Sequence, residues 1–192
     1  MIDNVMAALR NVTAERIVAI LTVICILAML CNRKINVAAV FVEQLRVFKD
    51  NRTKKISPWD IVSFIVCPIF LSLVLVIWYD FSINKELAQV LTTAFSLIFT
   101  LLLAFETVLV SKKNSTNDIE REVISQTFVS AVSASILALV GIILSMMIMF
   151  ISDACMLRIF TTLILVLSFM TIMLLLMIIK RTFKIFMNDN KK

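Results

Sequence analysis

Three stretches of this chain, Leu87 to Val110, Val123 to Ile151 and Ile159 to Ile179, each run beyond twenty residues with at most one charged side chain. About 20 apolar residues of helix cross a hydrocarbon core about 30 Å thick. Lipid offers no partner for a backbone N–H or C=O, so runs of this kind satisfy themselves as helices. Turn formers are scarce: one glycine and two prolines occur in 192 residues, of which 61% are apolar. With a mean hydropathy of +1.01, these features predict an all-α, polytopic transmembrane helical bundle.

A fourth span is expected from Ile61 to Ile77. Ser57-Pro58-Trp59-Asp60 opens it with a capping hydroxyl, a proline at the first helical position and an early acid. Trp59 marks one interface and Trp78-Tyr79 the other. Pro68 falls near the middle and should kink this helix, as a hinge or as a bend without a role. A shorter run, Ile17 to Cys31, covers roughly 22 Å and is expected as a short N-terminal fifth span, or otherwise as a re-entrant or interfacial helix. No small-x-small cleavage site closes it, so it is expected to be retained.

Charge orients this bundle. From Asn32 to Ser57, Arg33, Lys34, Arg46, Lys49, Arg52, Lys54 and Lys55 face only Glu43 and Asp50, a net of about +5 beside apolar runs. The segment is therefore placed in the cytoplasm. The same rule puts 111–122 and the basic tail 180–192 inside, leaving Lys85 and Arg158 as the basic residues of the two outer turns. The resulting order is a neutral N-terminal segment (1–16), the short helix (17–31), the basic loop (32–57), a hairpin (58–110), a second inner loop (111–122), a second hairpin (123–179) and the tail (180–192). The last span, rich in Leu, Ile, Met and Val, suits a lipid-facing helix.

Within the basic loop Val37, Phe41, Leu45 and Phe48 form an apolar stripe opposite Glu43, Gln44, Arg46 and Lys49. Such a helix lies on the inner leaflet, docks a cytosolic protein, or does both in turn. Arg46, Lys49, Arg52, Lys54 and Lys55 are the candidate partner- or lipid-binding residues. Glu106 stands clearly inside an apolar run, about 9 Å along the axis from Lys112. It is either a functional intramembrane carboxylate or one that reaches interfacial water or pairs with Lys112 or Lys113.

The span from Val123 is rich in small residues. Ala134, Ala138, Gly141 and Ser145 share one face, which suits packing within a subunit, a seam between subunits or a hydroxyl-lined pore.

Catalytic chemistry is not expected. There is no histidine, and Cys25, Cys31, Cys67 and Cys155 are isolated, reading as small apolar fillers. No nucleophile and base pair, phosphate-cradling loop or metal site is recognisable, so no cofactor is expected. The basic loop is too short and too poor in aromatics for a nucleic-acid domain. Two readings remain: a non-catalytic membrane subunit that oligomerises through the small-residue helix and holds a soluble partner at its inner face through the Asn32 to Ser57 loop and the C-terminal tail, and a pore-forming effector lined by the hydroxyls of Ser130 to Ser145 and gated near Glu106.

In size and layout, with its basic inner loop, short outer turns and composition leaning to Ile, Asn and Lys, the chain resembles the membrane components of bacterial antiphage defence systems, in particular the membrane subunit of the Kiwa system, KwaA. The resemblance covers the outline of the whole chain and no diagnostic motif, so it assigns no residue roles. It implies an inner-membrane homo-oligomer that senses phage attack at the envelope and works with a cytosolic DNA-binding partner, KwaB.

The charge asymmetry makes a direct prediction. Single cysteines placed at Lys49 or Lys191 should resist a membrane-impermeant thiol reagent in intact cells and react after permeabilisation. Labelling in intact cells would reverse the orientation.

Overall fold

The computed structural model describes Ile17, Leu21 and Ile24, and residues 37–47, 62–112 and 118–189. Every regular element among them is helical: α1 (Val37–Val47), a π-helical stretch (Val62–Val66) that runs into α2 (Cys67–Trp78), α3 (Lys85–Lys112), α4 (Asp118–Ile148) and α5 (Ala154–Asp189). Three helices, Lys85–Ser111, Arg121–Ile148 and Ala154–Phe183, are long and apolar enough to cross a membrane. The described part of the expected fourth span, Val62–Trp78, has 17 residues, about 25 Å of helix. Of the expected first span, Ile17, Leu21 and Ile24 are helical and exposed, and the remainder lies outside the described residues.

Helix α4 is the centre of the bundle. Its apolar window is 56% buried, against 17% and 22% for those of α3 and α5, and it carries most of the packing with both. The cause is side-chain size. Ala131, Ala134 and Ala138 are fully buried, and a Cβ on Gly141 would stand 2.9 Å from the ring of Phe95 on α3. Against this face α3 presents Ala88, Phe95, Leu102 and Leu109, one buried residue every seven. A seven-residue repeat keeps two helices in register at a shallow left-handed crossing. The opposite face of α3 is open, with Leu97, Leu101 and Val108 exposed, as expected for side chains solvated by lipid.

The last helix, expected to face lipid, has 22% of its apolar window buried and also carries an inward stripe. Phe160, Ile164, Thr171, Leu174 and Ile178 make a buried stripe along α5, and the basic tail continues as helix to Asp189.

The expected hairpin of residues 58–110 is not a packed pair. Helix α2 lies against α5 through Pro68, Ser72 and Val76, while α3 lies against α4. The connection explains the separation. Asp80 adopts a left-handed backbone (φ 51°), a conformation that Asp tolerates, and the Phe81 N–H returns to the Leu75 carbonyl at 3.2 Å. Asp80 then accepts from Arg158 Nη2 at 2.7 Å, and the buried Ile83 donates its N–H to Thr161 Oγ1 at 3.3 Å. These contacts tie the loop to the first turns of α5 before Asn84 caps α3, its side chain accepting from the Leu87 N–H at 2.8 Å. Trp78, Tyr79 and Phe150 project outward at this end, a placement suited to a headgroup interface.

Pro68 disturbs its helix as a π-helical stretch over Val62–Val66, immediately on its N-terminal side. The ring crowds the preceding turn and removes a donor, and a wider turn relieves both. The proline is buried in the bundle, and Ser72 Oγ donates to its carbonyl at 2.7 Å.

A Gly141→Ala substitution should cost about 1 to 3 kcal/mol through overpacking. Phe95→Leu in the same chain should return most of that loss. Thermal unfolding of the four variants in detergent checks this, and simple additivity of the two substitutions would disprove the contact.

Candidate functional site

The sequence points to two regions, the amphipathic helix with its basic flank and the carboxylate of Glu106. Helix α1 does not have the facing expected of it. Val37 and Gln44 are buried and Phe41 is partly buried, whereas Leu45 is 40% exposed. The inward face therefore follows the spacing of four then three, and Gln44, assigned by sequence to the polar side, points into the protein. Nor does the helix lie free in a polar loop: it packs on α4. Arg46 is exposed with its charge opposed by Glu43 at 2.6 Å, one turn away. Lys49, Arg52, Lys54 and Lys55 lie outside the described residues.

Between α1, the π-helical stretch, α4 and α5 is a cavity of about 210 Å³, lined by Phe41, Gln44, Phe64, Ser133, Leu137 and Leu174 among others. The Ser133 hydroxyl is engaged with the Val129 carbonyl at 2.9 Å. Gln44 is 5% exposed, and neither its amide oxygen nor its amide nitrogen has a hydrogen-bond partner. No sequence signal marks this site, because a glutamine beside Glu43 and Arg46 looks like one more solvated residue.

Glu106 has a partner that sequence reasoning did not weigh. Ser135 Oγ on α4 donates to its carboxylate at 2.6 Å, so the acid on α3 is held laterally by the central helix. About 7.5 Å along α4, Ser130 accepts from Arg181 Nη1 of α5 at 3.3 Å while donating to the Gln126 carbonyl. An acid and a base on the two flanking helices are thus both anchored on α4 hydroxyls.

The small-residue stripe is placed as well. Ala134, Ala138, Gly141 and Ser145 are all buried in the single chain. Three hydroxyls of α4 serve their own helix: Thr127, Ser130 and Ser133 each donate to the carbonyl four residues back. Cys67 and Cys155, expected as buried fillers, are exposed. Among the described residues no three His, Cys, Asp or Glu side chains converge in a way that could hold a metal ion. No protein-family model, curated protein or solved structure matches the chain.

A double-mutant cycle on Ser135→Ala and Glu106→Leu should give a coupling of about 0.6 kcal/mol, and no more than about 1.7, by unfolding in detergent. Glu106→Gln keeps an acceptor oxygen and should retain most of the stability. A coupling of zero would remove the contact from consideration.

Proposed function

We infer that the chain is a non-catalytic, multi-pass subunit of the bacterial inner membrane that homo-oligomerises and engages a cytosolic protein at its basic end. In this reading four spans and a short N-terminal fifth cross the bilayer, and the C-terminus is cytoplasmic. The observation that carries it is the distribution of charge. Fifteen basic residues flank the ends of the spans placed inside, whereas the two outer turns hold Lys85 and Arg158. Of those two, Arg158 is paired with Asp80. The basic segment from Lys49 to Lys55 lies in sequence between α1 and the π-helical stretch, elements that share a cavity wall. A charged surface held at a membrane in this way suits capture of an acidic partner, and antiviral sensing is the setting that the resemblance to Kiwa-type subunits implies. The small residues of α4 are occupied by packing inside the subunit, so the oligomer seam in this reading falls on outward faces such as Leu97, Leu101 and Val108.

The alternative, a pore-forming effector, draws on the half-buried carboxylate of Glu106 in an apolar helix. Against it stands the engagement of the α4 hydroxyls with the Val123, Gln126 and Val129 carbonyls and with Glu106, which leaves little polar lining for an aqueous path.

The two readings separate experimentally. Reversing Arg46, Lys49, Arg52, Lys54 and Lys55 to Glu should abolish co-purification of a cytosolic protein in mild detergent while the subunit still inserts. Retention of that protein defeats the first reading. Purified protein in liposomes should leave an imposed potassium diffusion potential intact, and its collapse would favour the second.

A further inference from the structure

We propose that α1 is set among the acyl chains of the leaflet at the basic end of the bundle, rather than lying on headgroups or offering its outward face to a soluble protein. Its depth can be read from its neighbours. Phe41 and Gln44 of α1 line one cavity with Leu137 of α4 and with Met170 and Leu174 of α5. The apolar stretch of α5 from Ile159 to Ile179 runs about 31 Å, enough to fill a core about 30 Å thick, so the boundary falls at Lys180 and Arg181. The hydrogen bond from Arg181 to Ser130 carries that level across to α4. Leu174 lies seven residues before Arg181, and Leu137 lies seven after Ser130. Both helices therefore put the contact with α1 about 10 Å from the boundary, on the hydrocarbon side.

Length, flanks and surface agree with this depth. Helix α1 has 11 residues, about 16 Å, which is roughly half of the core. Arg33 and Lys34 precede it and Lys49 and Arg52 follow it, so both of its ends return to one interface. Away from the bundle Val42 is 50% exposed and Leu45 40%, which costs nothing beside acyl chains and is a loss in water. The charges on that side, Arg46 and Glu43, are joined at 2.6 Å and enter as a neutral pair. This placement requires the basic end to mark a membrane boundary, whichever compartment it faces, so it and the partner-binding reading fail separately.

The test places a nitroxide on Val42→Cys in the full chain in nanodiscs, with Cys25, Cys31, Cys67 and Cys155 changed to Ala. Its collisions with oxygen, which concentrates in hydrocarbon, are compared with those of a water-soluble nickel chelate. Two exposed positions give the references: Leu97 in the span of α3, and Arg121, about 13 Å beyond Ser130 on α4. The ratio of nickel to oxygen collisions at Val42 should lie at least tenfold below that at Arg121, on the side of Leu97. On the unaltered chain, a phospholipid with a diazirine midway along its acyl chain should label the peptide holding Val42 and Leu45 as well as the one holding Leu97. A ratio less than tenfold below that at Arg121, as for a helix on headgroups or in water, would overturn the proposal. So would a Val42 label shielded from both reagents, as in a contact with a second copy, or an α1 peptide that the lipid probe leaves unlabelled.

Discussion

This bundle depends on close packing against α4, shown where the ring of Phe95 fills the space that a Cβ on Gly141 would need. In lipid, apolar side chains gain nothing by leaving their surroundings, so helices associate where backbones come near enough for dispersion contacts to accumulate. Only a face without bulk allows that, and α4 supplies it through Ala131, Ala134, Ala138 and Gly141. Helices α3, α5 and α1 then take places around this helix according to what their own faces offer, and α2 packs on α5. Helix α3 brings one buried residue in seven, α5 a stripe from Phe160 to Ile178, and α1 a short face ending in a glutamine.

A second constraint acts on polar groups, since the hydrocarbon region offers them no water. The serines and threonines of the bundle answer it locally. Thr92, Thr127, Ser130, Ser133, Ser168 and Thr171 each donate to a carbonyl one turn back, so a hydroxyl costs the helix little and leaves it slender. Polar bonds between helices are few among the described residues, and Ser135 with Glu106 and Arg181 with Ser130 place an acid and a base on either side of α4. Against that background, Gln44 and the Ser145 hydroxyl stand out as buried groups left unpaired.

These two constraints bear on function together. Small side chains make α4 the spine on which α3, α5 and α1 pack. Helix α1 packs on α4, and the chain beyond it carries the basic cluster in sequence. The cavity wall is shared by α1 and the π-helical stretch, the two elements between which Lys49 to Lys55 lie in sequence.

The three long helices, the concentration of small residues in the run from Val123 and the isolation of Glu106 were legible in the sequence, because each depends only on the composition of a local window. The facing of α1 was not, since Val37 and Phe41 fit a stripe through Leu45 or through Gln44 equally well and the neighbours on α4 and α5 select between them. The partner of Glu106 was hidden for the same reason: Lys112 is near in sequence, but Ser135 is near in space. Helix α2 packs on α5 rather than on its sequence neighbour α3, because pairing in lipid is chosen by surface fit and by loop contacts such as Asp80 with Arg158, not by adjacency along the chain. Hydropathy alone thus determined which segments are helical and long enough to cross a bilayer, as it is a property of each segment by itself. Which helices touch, which polar groups meet and where a cavity remains were decided in three dimensions, because those depend on shapes contributed by residues far apart in the chain.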